Sequence, residues 1–274
     1  MAVNYAYIPR PPLGDFVSLF WLYEGYELPY VKERVLPTGT VEVVINLRED
    51  ALWIFDRQHT NRAQRFDGCL VCGAHSEYFV IDTAQQSSII GVNFKPGGAF
   101  PFLRLPANEL HNMHVSLDTL WGSAANELRQ QLLAAQAPEA RFCVFERFLL
   151  AQASRPLVRH PAVAFALNEF QHVPHTQTIA SVTQQIGLSQ RRFIQVFNEE
   201  VGLTPKLFCR VRRFQEVLRL IGDGQQVDWA EISWVCGYFD QAHFIHDFQA
   251  FSGLNPSAYP HDLGERLNHV PLSE

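Results

Sequence analysis

The amino-acid sequence predicts an α+β protein of two domains. The first is expected to be a β-rich barrel or sandwich followed by two helices, and the second an all-α domain of two helix-turn-helix units joined by a long helix. Two observations predict this fold class. Short runs of β-branched and aromatic residues fill about the first 120 positions, and one helix-turn-helix pattern occurs twice near the end. With 274 residues, 47% of them apolar, the chain can bury two hydrophobic cores.

Strand-like runs alternate with turn residues in the N-terminal part of the chain. Their β-branched and aromatic residues favour pleated, half-buried segments. The clearest runs are Val41–Leu47, Ala51–Phe55, Cys69–Cys72, Tyr78–Ile81 and Ser88–Phe94. Two helical patterns follow, at 123–136 and 138–152, whose apolar stripes are typical either of core packing or of a dimer contact.

Prolines indicate the boundary between the domains. Pro156 and Pro161 lie close together and discourage a continuous helix. We therefore expect an N-terminal sensing or dimerisation domain at 1–154, a linker at 155–160, a helical domain at 161–262 and a tail at 263–274.

A turn near position 188 introduces the most informative helix. Gly187 can adopt the left-handed conformation that ends one helix, and Ser189 can cap the next, 189–199, by accepting a backbone N–H. At 100° per residue, Phe193 and Phe197 fall on an apolar face that is expected to pack. The opposite face carries Arg191, Ile194, Gln195 and Asn198.

The exposed face of this helix has the composition of a DNA-reading surface. Arginine and the amides can form paired hydrogen bonds with guanine and adenine edges, and isoleucine can contact a thymine methyl. We predict base contacts from all four residues. Taken alone, the pattern is equally typical of a solvated helix face.

The same unit recurs about fifty positions later. Ile179–Gly187 matches Trp229–Gly237 in spacing, and helix 189–199 matches 240–251, with Gly237 and Asp240 as the corresponding turn and cap. A long helix starting at Pro205 is predicted between the units. If it holds the two recognition helices about one DNA turn apart, roughly 34 Å, both can enter successive major grooves.

The charge distribution suits a nucleic-acid partner only locally. The whole chain has a net charge of −6, but positions 189–220 hold seven basic residues against three acidic ones. The predicted phosphate contacts are Arg192, Lys206, Arg210 and Arg213, with His243 in the second unit.

These motifs resemble the tandem helix-turn-helix domain of AraC/XylS-type bacterial transcription regulators over residues 161–260. The stretch 237–248, followed by Gly253 and Pro256, is the most specific part. In addition, 35–47 and 91–100 resemble an uncharacterised β-rich domain that precedes such modules in some regulators. The resemblance implies a sequence-specific, DNA-binding transcription regulator that forms homodimers, with a small-molecule effector in the N-terminal domain and RNA polymerase as candidate partners.

The second unit departs from this family pattern. Members commonly carry a basic residue on the second recognition helix, whereas no Lys or Arg occurs from Leu220 through Glu265. Gln241 and His246 are the predicted base contacts there, although such histidines are as often exposed or turn-stabilising. We therefore expect the first unit to supply most of the affinity.

An enzyme is the alternative from another functional class. Cys69, Cys72, His75, His111 and His114 could supply ligands for a cupin-like metal-dependent enzyme with an appended helical domain. In a strand, however, residues three apart point to opposite faces, so the two thiols would converge only at a bulge. No nucleophile elbow or phosphate-binding glycine loop occurs in the sequence. We predict no catalytic residues, metal or cofactor.

Two further expectations concern ligands and location. Trp21, Tyr23, Tyr26, Trp53 and Phe55 could line an effector pocket, although core packing is the more common role of such residues. The sequence lacks an apolar run of membrane-spanning length and a secretion signal, so we expect a cytoplasmic protein without a membrane partner.

Overall fold

The computed structural model describes residues 3–25, 28–172, 179–222, 228–260, 263 and 266–272. Tyr26, one of the aromatic residues considered for an effector pocket, lies outside these ranges. The predicted fold class is confirmed: a β-rich N-terminal part is followed by helices and then by a C-terminal helical region.

Two antiparallel sheets form the N-terminal part. Their strands are β1 (Val3–Tyr7), β2 (Val17–Glu24), β3 (Lys32–Val35), β4 (Glu42–Asn46), β5 (Leu52–Phe55), β6 (Ala63–Phe66), β7 (Cys69–Cys72), β8 (Phe79–Asp82), β9 (Ser88–Phe94), β10 (His114–Ser116) and β11 (His269–Pro271). The six-stranded sheet has the order β1-β2-β9-β4-β7-β10, and the five-stranded sheet has the order β11-β3-β8-β5-β6. All pairs are antiparallel.

Both faces of the six-stranded sheet are covered. Val44 and Leu70 pack in a cluster with residues of the five-stranded sheet, whereas their neighbours Val43 and Val71 pack in the main core with the helices. This follows from the two-residue period of a strand, which sends alternate side chains to opposite faces. The strands therefore contain nearly continuous apolar runs instead of a simple alternation.

Three helices cover the outer face of this sheet: α1 (Leu117–Trp121), α2 (Ser123–Ala134) and α3 (Pro138–Ala151). Pro138 suits the start of α3, because its missing N–H would have no partner within the helix. Phe145 lies 5.3 Å from Phe20 of the sheet, measured between ring centroids. The apolar stripes of α2 and α3 thus pack in the core.

The C-terminal domain is built around one long helix. Its elements are α4 (Pro161–His172), α5 (Ile179–Ile186), α6 (Gln190–Val201), α7 (Pro205–Gly222), α8 (Trp229–Val235) and α9 (Gln241–Ser252). Phe208 of α7 contacts Phe197 of α6, and Phe214 of α7 contacts Phe248 of α9, at centroid distances of 5.7 and 5.4 Å. Both helix-turn-helix units therefore share α7 as their core. In the described part of the chain, no helix is both long and apolar enough to cross a bilayer.

The helical domain packs directly against the sheets. The Gln215 side chain of α7 donates to the Pro37 carbonyl and to the Asn268 side chain, both at 2.8 Å. At the end of α6, the buried Glu200 carboxylate accepts the backbone N–H of His160 at 3.1 Å. The Gln215 bonds thus join α7 to residues adjoining β3 and β11, and the Glu200 bond joins α6 to the residue just before α4.

The segment after the second unit returns to the N-terminal sheet. Strand β11 pairs with β3, and Val270 is almost completely buried. The carboxylate of Glu33 on β3 is fully buried and pairs with Arg266 at 2.9 Å and His269 at 2.6 Å. Burial alone would raise the pKa of Glu33, but the hydrogen bond from His269 and the charges of His269 and Arg266 outweigh it and lower this pKa. Within the segment 263–274, which we predicted as a tail, His269–Pro271 form the outer strand of the five-stranded sheet.

Replacing Glu33 by alanine is expected to destabilise the protein. It leaves Arg266 and His269 without their buried carboxylate, and breaking such a pair from one side costs about 3 to 5 kcal/mol. Urea denaturation near neutral pH measures this loss in the free energy of unfolding. The control is Glu77→Ala, whose partially exposed pair with Arg57 should contribute less than about 1 kcal/mol. Equal losses for the two variants would contradict the prediction.

Candidate nucleic-acid interface and effector cavity

The two helix-turn-helix units use the same two devices in their turns, a glycine of positive φ and a side-chain cap, although the second turn is one residue longer. After α5, Gly187 has a φ of +72°, and the Ser189 hydroxyl accepts a backbone N–H of the first turn of α6 at 3.3 Å. After α8, Gly237 has a φ of +70°, and the Asp240 carboxylate accepts a backbone N–H of α9 at 2.7 Å. Positive φ favours glycine, and a capping oxygen satisfies a helix-terminal donor. Each repeated residue thus has a mechanical role in its own unit.

Helix α6 presents a polar face to solvent. Arg191 and Gln195 are exposed, Ile194 and Asn198 are half-buried, and the apolar face with Phe193 is fully buried. Among the described residues, no side chain pairs with the guanidinium of Arg191. The Gln195 amide donates to Glu199 at 2.8 Å in an exposed contact. The four residues predicted to contact bases therefore lie together on one accessible side of the helix.

The basic residues divide into two groups. Arg192 and Lys206 are exposed. Arg210 instead pairs with the buried carboxylate of Asp247 on α9, at 2.6 Å. Arg213 donates to the Gly237 carbonyl at 3.2 Å. The guanidinium groups of Arg210 and Arg213 thus connect α7 to the second unit. The count of charges along the sequence did not indicate this intramolecular role.

The second recognition helix differs from the first in charge and exposure. Gln241 and His246 are exposed on α9, whereas His243 is half-buried, with Nε2 located 3.7 Å from Asp247. Just before this helix, Phe239 is 92% exposed. The side chains here are suited to individual hydrogen bonds, and the described residues from 228 to 260 contain no Lys or Arg.

Arg210→Ala is expected to act mainly on stability. It leaves the Asp247 carboxylate buried without its arginine, so the free energy of unfolding should fall by about 3 kcal/mol or more. The matched control is Arg212→Ala on the same helix, where the loss should stay within about 1 kcal/mol. Chemical denaturation of the purified variants measures both. If Arg210→Ala left stability unchanged, its ion pair would have no structural role.

A cavity of about 310 Å³ lies between the two sheets. Its walls are mainly apolar: Val44, Leu52, Ile54, Leu70, Phe79 and Ile89. Trp21 and Tyr23 also line it, as one of the two interpretations of these aromatic residues predicts. Trp53 and Phe55 do not line this cavity, since Trp53 is 38% exposed and Phe55 lies beneath the Lys32 ammonium at 4.2 Å.

One carboxyl group faces this cavity. The Trp21 indole N–H donates to Glu42 Oε1 at 2.9 Å and to Asn93 Oδ1 at 2.8 Å. The side chain of Glu42 is half-buried and lines both this cavity and the adjoining pocket that holds Arg266 and His269. No cation of the described chain lies within ion-pair distance of it. Burial raises the pKa of Glu42 to about 7, although the hydrogen bond from Trp21 acts in the opposite direction.

Glu42→Gln should stabilise the protein at alkaline pH. Because the pKa of Glu42 is higher in the folded protein than in the unfolded chain, ionisation lowers stability as pH rises through about 7. Glutamine removes the charge and keeps an acceptor for Trp21. We expect a gain of about 3 kcal/mol in the free energy of unfolding near pH 8.5, and about 1 kcal/mol or less near pH 5. Urea denaturation at the two pH values, with the exposed Glu139→Gln as control, tests this; a gain independent of pH would contradict it.

The candidate metal ligands do not form one cluster. Cys69 packs in the core that contains the helices, whereas Cys72 faces the second sheet, as strand periodicity predicts. The rings of His75 and His114 lie 4.6 Å apart, and burial lowers the pKa of both. His111 contacts a serine hydroxyl at 2.9 Å. In the described ranges, no three His, Cys, Asp or Glu side chains are arranged to hold a metal ion.

Comparison with known proteins gives a match in each part of the chain. Residues 5–116 match a domain of unknown function, DUF6597, and residues 182–261 match a helix-turn-helix domain. A probable transcriptional regulator of Photobacterium leiognathi, LumQ, is 23% identical over 168 residues, covering 58% of this chain and 67% of that protein.

One further relative and one solved structure also match. An uncharacterised HTH-type transcriptional regulator of Haemophilus influenzae is 30% identical over 98 residues, covering 36% of this chain and 32% of that protein. A crystal structure of apo ToxT from Vibrio cholerae aligns over 88% of this chain and 96% of its own, with 10% identity and a TM-score of 0.45.

Proposed function

We propose that this chain, a transcriptional regulator with an AraC-type helix-turn-helix domain at its C terminus, binds specific DNA sequences mainly through α6 and responds to a small molecule held between its sheets. The observation that carries the first part is the exposed polar face of α6. It offers Arg191, Ile194, Gln195 and Asn198 on one side of a helix whose other side is buried.

Base recognition is assigned chiefly to Arg191. Its guanidinium is exposed and unpaired among the described residues, so it is available for the two acceptors on the major-groove edge of guanine. The Gln195 amide can give up its exposed hydrogen bond to Glu199 and instead hydrogen-bond the major-groove edge of adenine. Ile194 and Asn198 flank these two residues and complete the base-contacting set.

Phosphate binding is assigned to Arg192 and Lys206. Both are exposed near α6, and neither is used in a described ion pair. Arg210 is largely neutralised by Asp247, and Arg213 donates to a backbone carbonyl, so both serve chiefly to hold the second unit in place. This division supports the proposal that the first unit supplies most of the DNA affinity.

The second unit is proposed to refine recognition. Gln241 and His246 are exposed on α9 and can hydrogen-bond base edges, whereas His243 lies beside Asp247 and is less available for phosphate. Insertion of both recognition helices requires that α7 hold them about one DNA turn apart, roughly 34 Å.

The enzyme alternative lacks support in the described residues, since Cys69 and Cys72 face different cores.

Two substitutions separate base recognition from phosphate binding. Arg191→Ala should lose about 1 to 3 kcal/mol on a selected site and relax the preference at one base pair. Lys206→Ala should weaken binding to selected and scrambled DNA alike. The slope of log affinity against log salt should show that about one counterion fewer is released on binding. The site is first selected from random DNA with the full chain, and affinities follow from fluorescence anisotropy over a salt series.

The control for this experiment is Gln184→Ala, an exposed position on α5 outside the proposed contact face. Its affinity should equal that of the unaltered chain on both DNAs. An equal loss on selected and scrambled DNA for Arg191→Ala would contradict its assignment to a base. Absence of DNA binding by the full chain, even at low salt, would overturn the proposed function itself.

A further inference from the structure

We propose that the cavity between the sheets binds a small apolar molecule bearing a protonated amine, and that the ammonium group pairs with Glu42. This inference rests on the effector-responsive function proposed above and specifies the ligand class. It depends on three features of the cavity: its apolar walls, its unpaired carboxyl group and its aromatic rings.

The apolar walls determine the body of the ligand. Val44 and Leu70 come from one sheet and Leu52 and Ile54 from the other, so the cavity is enclosed from both sides by aliphatic side chains. Its volume of about 310 Å³ lies at the small end of typical ligand sites. A molecule with a compact hydrocarbon body can replace water there and bury apolar surface.

Glu42 determines the charge of the ligand. A carboxylate at the wall of a mainly apolar cavity is costly to ionise unless a cation pairs with it. Glu42 and Asn93 direct two acceptor oxygens at the single N–H of Trp21, so these oxygens keep acceptor capacity on the cavity side. An ammonium group carries donors only, and it would supply both the missing hydrogen bonds and the missing positive charge.

The cations nearest to the cavity are already engaged. His269 lines the cavity, and Arg266 lies beside it, but both pair with the buried carboxylate of Glu33. Gln86 also hydrogen-bonds Glu33 and Arg266, which completes that cluster. Glu42 is thus the carboxyl group at the cavity wall for which the described chain provides no cation.

Aromatic rings around the same site add to this preference. Trp21 and Tyr23 lie 5.0 Å apart between ring centroids, and both line the cavity together with Phe79. Ring faces attract cations, most strongly when water is excluded. An anionic ligand would instead be repelled by Glu42, and a neutral ligand would leave the carboxylate uncompensated.

Three probes of similar size and different charge test the inference: 2-phenylethylamine, 2-phenylethanol and phenylacetate. Each is titrated calorimetrically into the full chain at about pH 8, where Glu42 is largely ionised. We expect the amine to bind at least about tenfold more tightly than the alcohol, and phenylacetate to bind least tightly. Glu42→Gln should weaken amine binding at least about tenfold and change alcohol binding less than about threefold.

Glu139→Gln is the matched control, because this carboxylate is exposed at the start of α3, and it should leave all three affinities unchanged. Circular dichroism establishes that each variant is folded. Equal binding of amine and alcohol, an unaffected amine affinity in Glu42→Gln, or no binding of any probe would each overturn the inference. DNA affinity is measured separately by anisotropy without probes, so failure of the ligand assignment is distinguishable from failure of DNA binding.

Discussion

The buried carboxylate of Glu33 determines how the two ends of the chain fit together. It lies on β3 in the N-terminal sheet, and its partners Arg266 and His269 belong to the segment that follows the second helix-turn-helix unit. The helical domain is therefore held at both ends, by residues 155–160 on one side and by β11 on the other. Between these two attachments, the Gln215 side chain of α7 donates a hydrogen bond to the Pro37 carbonyl. Both recognition helices consequently have a defined position relative to the sheets.

The cavity and this attachment share residues. His269 lines the cavity and also pairs with Glu33, and Gln86 does the same through its hydrogen bond. A molecule in the cavity would therefore contact the strand that attaches the DNA-binding domain to the sheet. This gives the ligand proposed for the cavity a direct physical connection to the domain that binds DNA, with no intermediate helix required.

The sequence predicted those features that depend on local periodicity. Strand runs, the doubled turn with Gly187 and Gly237, and the two faces of α6 all follow from spacing within a few residues. It did not indicate the neutralisation of Arg210, because Asp247 is remote along the chain. The pairing of β11 with β3 was missed for the same reason. Glu42 shares a strand face with Val44, but only the second sheet reveals that this face is enclosed.

The position of β11 has a consequence for biosynthesis. This strand is translated after the whole DNA-binding domain, so β3 has an unpaired edge, and Glu33 lacks both of its cations, while the intervening helices are being made. Lys32, Glu33 and Arg34 make that temporary edge highly charged, which discourages pairing with another nascent chain. Completion of the five-stranded sheet therefore waits until the DNA-binding domain has been translated.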